Sequence, residues 1–391
     1  MQDVVIISAA RTAVGKFNGT IKDVPATQLG EVVIKEAVKR SGLQPSDIEE
    51  CLMGNVLSAS LGQNPARQAA VGAGLPYEIG STTVNKVCGS GMKTVMLAAN
   101  AIKAGEYQAI VAGGMENMNS APYLLKQARF GYRLGDSKMI DHMVHDGLWD
   151  IFNDTHMGIT AEITAERFNV TREQADLLSC QSHLKAHRAQ TEGRFDKEIV
   201  PVVVKGRKAD TVFDRDEGIR PDTTPEVLAK LSPSFKKGGV VTAGNASQLS
   251  DGAAALVVCS REFAEARGIE PLAEIMGYAT GGTRPELIME APIPATRRLL
   301  DKLNMDIEQF DLFEHNEAFA TASHVVRQEL KVPEDRFNVN GGAIALGHPI
   351  GCSGARVLTS LIYALKDRGK STGLATLCLG GGNAVSMAVR V

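Results

Sequence analysis

Aromatic side chains are scarce: Phe, Tyr and Trp together make up 5% of the 391 residues, with one Trp. The core is therefore expected to rest on Ala, Val, Ile and Leu. Long hydrophobic runs are missing too; none reaches the ~18 apolar residues of a membrane-spanning helix. No charge sign dominates, with 42 Lys and Arg against 45 Asp and Glu and a net charge of −3. That balance gives no electrostatic case for binding nucleic acid or an anionic membrane surface. The cysteines Cys51, Cys88, Cys180, Cys259, Cys352 and Cys378 form no C-x-x-C pair. Their spacing implies neither a zinc site nor a disulfide framework, and a cytoplasmic protein with free thiols is expected. Met1-Gln2-Asp3 runs into the apolar stretch Val4 to Ala9 without a basic flank, which does not read as a signal peptide.

Glycine, by contrast, is plentiful, at 39 residues, or about 10% against a usual ~7%. This abundance implies many close backbone approaches. The length fits two or three domains. Val4 to Ala9 reads as a strand and Leu29 to Val38 as a helix. Ser46-Asp47-Ile48-Glu49 looks like a capping box opening another helix. Met92 to Ala104 reads as a helix, and Ala109 to Ala112 as a strand ending in Gly113-Gly114. This alternation predicts a mostly parallel sheet covered by helices. From Asn119 to Gln248 the chain is more polar. Thr171 caps a helix running to about Gln190 there, and Glu198 to Val204 is the clearest strand. After Asp251, Ala253 to Cys259 restores the α/β character, so the middle segment reads as an insertion.

A faint repeat links the two ends. Val84-Asn85, Cys88-Gly89-Ser90-Gly91, a helix, a strand and Gly113-Gly114 recur as Val339-Asn340, Gly351-Cys352-Ser353-Gly354, a helix (Val357 to Leu365), a strand (Ala375 to Leu379) and Gly380-Gly381-Gly382. Duplicated halves would place their loops around a shared crevice, where α/β proteins bind ligands.

Four positions there can carry chemistry. Cys88 stands between uncrowded backbone and a helix start, where the helix dipole favours a thiolate; the plain alternative is a small buried hydrophobe. His348, in Gly347-His348-Pro349, is the base a cysteine nucleophile needs. Cys378 ends a strand, and the glycine beyond it, Gly380, offers a free N–H of the kind an oxyanion hole uses. Asn316, in Glu314-His315-Asn316-Glu317, reads as the start of a helix, where an N-cap is its common use. Gly89-Ser90-Gly91-Met92-Lys93-Thr94 lacks phosphate-loop spacing. Met115, Met118, Met143 and Met157 read as gap-filling core residues. His142, His145 and His156 lack ligand spacing, so no metal is expected.

Asn85-Lys86-Val87-Cys88-Gly89-Ser90-Gly91, Asn316-Glu317-Ala318-Phe319-Ala320, Gly341-Gly342-Ala343 through Gly347-His348-Pro349, and Cys378-Leu379-Gly380-Gly381-Gly382 together resemble the thiolase family. The resemblance spans essentially the whole chain and is strongest to the biosynthetic members. It implies duplicated α-β-α-β-α five-layered halves with an inserted loop domain. Residues 1–118 would form the N-terminal half, completed by about 250–270, with 119–249 as the CoA-binding loop domain and 271–391 as the C-terminal half.

The implied reaction condenses two acetyl-CoA into acetoacetyl-CoA and coenzyme A through an acetyl-cysteine. The alternative is degradative thiolysis of longer 3-ketoacyl-CoAs. Cys88 would be the nucleophile, His348 its base, and Cys378 the base for the α-proton. His348 and a water on Asn316 would stabilise the enolate, with the N–H groups of Cys88 and Gly380 as oxyanion hole. Arg220 would meet the adenosine end of CoA and Ser247 the pantetheine amide. Leu148, His156, Met157, Phe235, Ala243 and Phe319 would line the tunnel. No cofactor beyond the CoA substrate, no nucleic-acid or membrane partner, and a homotetramer or homodimer are expected. Gln248, Ser250, Ile288-Met289-Glu290-Ala291 and Asn383-Ala384 depart from the family pattern, and none is expected to touch the catalytic groups.

Overall fold

The aliphatic runs become strands buried on both faces, and helices cover them. The computed structural model describes residues 3–391. The main strands are β1 Val4–Thr12, β2 Glu50–Gly54, β3 Gly80–Val84, β4 Ala109–Asn117, β5 Ser250–Ser260, β6 Ala273–Gly282, β7 Leu312–His315, β8 Thr372–Leu379 and β9 Asn383–Arg390. The main helices are α1 Ala26–Ser41, α2 Pro65–Gly72, α3 Ser90–Ala104, α4 Met157–Phe168, α5 Arg172–Thr191, α6 Pro292–Leu303, α7 Ala320–Glu329 and α8 Ser353–Asp367.

Hydrogen bonds join the strands in the order β7-β8-β9-β6-β1-β5-β4-β2-β3. The two halves meet where β1 pairs with β6 through Val5–Glu274 and Ile6–Ala273. The sheet is mixed rather than mostly parallel as expected. Parallel pairing is confined to β2 with β3 and β4, β7 with β8, and Ile199–Val200 with β1. The reason is connectivity: Gly380-Gly381-Gly382 joins β8 to β9 directly, and so short a link permits only an antiparallel pair.

Helices α1 and α2 pack on the outer face of the first half-sheet, α6 on that of the second, and α3 and α8 lie together between them. The five layers are thus completed by the two halves jointly. Helices α3 and α8 each have 15 residues and begin Ser-Gly. Both these helices and the strands that follow start 263 positions apart (Ser90 and Ser353; Ala109 and Thr372). The helices cross at their glycines. A Cβ on Gly91 would lie 2.7 Å from Ala355 N, and one on Gly354 would lie 2.3 Å from Met92 N. Only glycine allows this approach.

Three local expectations change. Ser46 does not open a helix; Pro45–Asp47 is a single tight turn, with Gln44 N–H donating to Asp47 Oδ2 at 2.8 Å. Ile48 then turns extended and buries its side chain at the entry to β2. The strand read over Glu198 to Val204 is split at Pro201, which has no N–H for a ladder. Ile199–Val200 joins β1, and Val202–Val204 pairs with Thr211–Phe213. Asn316 precedes its helix by four residues, because Phe319 is extended and α7 begins at Ala320. Helix α5 starts as read, with Thr171 and Gln174 exchanging cap bonds of 2.9 and 3.3 Å. The segment after Asn119 is tied back by the fully buried Arg11, which donates to Glu198 at 2.7 Å and to Asp216 at 2.7 and 2.9 Å.

Candidate active site

One cavity of about 360 Å³, mostly apolar, opens where the loops of the two halves meet. Cys88 comes to it from the turn before α3, His348 from the loop before α8, and Cys378 and Gly380 from the end of β8. Leu148, His156, Met157, Phe235, Ala243, Ser247 and Phe319 complete the set of expected residues on its wall.

Cys88 is held by a strained turn. Val87 has φ +48°, an outlier for a β-branched residue, which costs about 1–3 kcal/mol and persists only where its surroundings fix it. Val87 N–H donates to Asn85 Oδ1 at 3.0 Å, and Ser90 Oγ donates to Val87 O at 2.6 Å while accepting from Lys86 N–H at 2.8 Å. Helix α3 begins two residues beyond Cys88, so the dipole does not decide its state. Burial dominates and pushes the thiol up, and nearby Cys378 adds to this. The N–H groups of Cys88 and Gly380 lie against the sulfur and pull the other way. Burial thus outweighs the dipole effect expected from the sequence; the resting group is a thiol, and it needs a base.

His348 can be that base. Burial, with Arg356 behind it, pushes its pKa down to about 3, so the ring is neutral. Its Nδ1 lies 2.6 Å from Ser353 Oγ, whose own proton goes to Pro349 O at 2.9 Å. Ser353 must therefore accept from Nδ1–H, which leaves Nε2 unprotonated. Asn316 Nδ2 lies 3.4 Å from both ring nitrogens, and its Oδ1 is buried without a protein partner. Asn316 does not itself line the cavity; it backs His348.

Cys378 is buried, and burial raises its pKa to about 12. Its Sγ lies 3.9 Å from Met289 Sδ. Also on the wall, His156 stacks on Phe235 with centroids 4.7 Å apart, and Phe235 meets Phe319 edge-on at 6.2 Å. Burial lowers the pKa of His156. Arg220 is not brought to the cavity: it is exposed, and its backbone N–H donates to His183 Nδ1 at 3.1 Å.

Sequence reasoning missed part of the wall. Met118 and Met143, read as core filler, line the cavity, as do Val87, Leu249, Met289 and Ile350. The departures do reach the catalytic groups, contrary to expectation. His348 N–H is 3.2 Å from both Gln248 O and Ser250 Oγ, and Met289 touches Cys378. Among the described residues no group of His, Cys, Asp and Glu could hold a metal ion, and no helix is long and apolar enough to cross a membrane.

Two family models match: "Thiolase, N-terminal domain" over residues 4–262 and "Thiolase, C-terminal domain" over 269–391. An acetyl-CoA acetyltransferase of Cupriavidus necator is 51% identical over 390 residues, covering 100% of this chain and 99% of that protein. One of Pseudomonas aeruginosa is 52% identical over 388 residues, covering 99% of each. The crystal structure of the Bacillus anthracis acetyl-CoA acetyltransferase superposes with a TM-score of 0.98 at 43% identity, covering 100% of this chain and 99% of that one.

Proposed function

The chain belongs to the thiolase family, and we propose that it is an acetyl-CoA C-acetyltransferase, which joins two acetyl-CoA into acetoacetyl-CoA and coenzyme A and runs in reverse as a thiolase. The observation that carries this reading is the convergence of two thiols, a neutral imidazole and the Gly380 backbone on one apolar cavity.

The thioester oxygen of the first acetyl-CoA would accept from the N–H groups of Cys88 and Gly380. Cys88 Sγ attacks the carbonyl carbon while His348 Nε2 takes its proton. The tetrahedral adduct collapses, the C–S bond to CoA breaks, and the imidazolium returns the proton to the departing thiolate. After the second acetyl-CoA enters, Cys378, a thiol at rest, gives its proton to His348 Nε2 and as the thiolate takes the α-proton, while the imidazolium with a water on Asn316 Oδ1 stabilises the enolate. The enolate carbon attacks the acetyl-cysteine. Cys88 leaves with the proton held by His348, Cys378 is again a thiol, and acetoacetyl-CoA is released. Acyl transfer needs one nucleophile and one base; forming the carbon–carbon bond needs the second thiol.

The CoA moiety would lie along the inserted segment 119–249, with Ser247 on the pantetheine amide and Arg220 near the adenosine. Cytoplasmic location fits the six free cysteines. A homotetramer or homodimer would bury the exposed apolar side chains Tyr123, Phe130 and Leu134. Thiolysis of acetoacetyl-CoA by CoA, followed at the enolate absorbance, tests the activity, and a C4 to C16 ketoacyl-CoA series tests the chain length. Negligible C4 turnover beside rapid turnover of long chains would establish a degradative enzyme instead.

A further inference from the structure

Glu116, near the end of β4, belongs to none of the catalytic roles above, yet it is a fully buried carboxylate at the back of the site. Its Oε1 accepts from Asn55 Nδ2 at 2.7 Å and Leu57 N–H at 3.1 Å. Its Oε2 accepts from Val56 N–H at 3.1 Å and Gly351 N–H at 2.9 Å. Four donors fill both oxygens, an arrangement suited to the ionised form. The donors come from two places. Asn55, Val56 and Leu57 follow β2 in the first half; Gly351 lies three residues after His348 and two before Ser353 in the second. The fit is close: a Cβ on Gly351 would lie 2.9 Å from Glu116 Oε2 and from Asn55 Cα. Val56, Leu57 and Ile350, the side chains of the clamped segments, form with Met118 the apolar cluster on which Val87 and Cys88 pack.

We propose that Glu116 is a positioning residue for acyl transfer: its carboxylate clamps the Pro349–Gly351 segment of the second half to the Asn55–Leu57 segment of the first, and so fixes His348 against Cys88. This rests on the thiolase reading. The clamp requires the charge, since a protonated oxygen would turn an O–H donor toward an N–H. Burial pushes the Glu116 pKa up to about 7, against the N–H groups of Gly351, Leu57 and Val56. The groups that face it are Asp251 on β5, itself raised to about 6 by burial, and the thiols Cys88 and Cys352. His348, at about 3, does not titrate in this range. Acyl transfer is therefore expected to switch on with rising pH around neutrality as Glu116 ionises.

The test begins with the wild type, whose Cys88 should take up one acetyl group from acetyl-CoA; failure there removes the thiolase reading itself. Its single-turnover acetylation rate should rise between pH 6 and 8, and a flat profile overturns the proposal without any variant. Glu116→Gln keeps the shape but turns an amide N–H toward backbone donors. It should lower kcat on the order of 10²-fold, as a misplacement of about 1 Å can, with KM within threefold, about one acetyl group per chain still bound at long times, and the acid limb gone. Asn55→Ala, which removes one of four donors, should lower kcat in the same direction by less. An unchanged kcat in Glu116→Gln, an acid limb that persists in it, or a loss of kcat matched by an equal loss of labelled chains would each overturn the assignment.

Discussion

Ser353 Oγ accepts the Nδ1 proton of His348 at 2.6 Å across one turn of chain, and passes its own proton to Pro349 O at 2.9 Å. Ser353 thus sets the tautomer that leaves Nε2 facing the chemistry. Ser353→Ala should cost about one hydrogen bond, ~1 kcal/mol, and lower kcat roughly five- to tenfold with KM within twofold. Steady-state thiolysis checks this; a raised KM at unchanged kcat would place Ser353 in CoA binding instead.

Acylation should be separable from condensation. Two thioester substrates meeting one nucleophile give ping-pong kinetics, and acetyl-CoA alone should add one acetyl group to Cys88. Peptide mass spectrometry locates the label, and intersecting double-reciprocal lines would refute the order of steps.

Cys378→Ala should keep that label, because acylation uses only Cys88 and His348. Condensation and α-proton exchange should fall by at least ~10²–10⁴, the usual worth of a positioned acid or base. Deuterium exchange into acetyl-CoA reads this directly, and exchange at the parent rate would make Cys378 a wall residue.

Alkylation should discriminate sharply among the cysteines. Cys88 alone of the six is not fully buried, and Cys352 at the start of α8 is 1% exposed. Iodoacetamide should modify Cys88 first, slowly for a thiol held up by burial. Bound acetyl-CoA should protect it. Labelling at Cys352 in the native protein would contradict the packing.

Stability should bend with pH in two directions. Burial holds His315 and His348 neutral to about 3. The unfolded chain takes up their protons near 6.5, so these two groups destabilise as pH falls from about 6.5 toward 3. Glu314 acts oppositely, since burial raises it to about 8. Its contribution is present below about 4.5 and is lost as pH rises through 8. Glu314→Gln should flatten the fall in Tm between pH 5 and 8 and leave the acid side unchanged, as calorimetry across that range would register.

The elements legible in the sequence are those with local causes. The Thr171 cap, the α3 and α8 helices and the aliphatic strands follow from propensity and pattern. The residues that converge on the cavity were legible because flanking glycines mark close approach at Cys88, His348 and Gly380. What escaped depends on distant chain. Pairing direction was misread because β5 enters the first half-sheet only after the inserted segment. The pull of the helix end on Cys88 was given too much weight, because burial outweighs it. Gln248 and Ser250 reach His348 across a separation of about a hundred residues, and Glu116 reaches Gly351 across 235. No local pattern marks such bonds.

The constant 263-residue offset between the halves has a consequence for symmetry. Carried onto the loops, it places Gly351 opposite Cys88, Met115 opposite Cys378 and Asn85 opposite His348. Identical halves would place two equal centres, one on each side of the α3–α8 crossing. The loop residues differ at these positions while the frame keeps the offset. One side carries Cys88 and Cys378, and the other carries Glu116 and the backbone it grips. The frame is symmetric and the cavity is not: a single pocket takes Cys88 from one copy of the fold and His348 from the other.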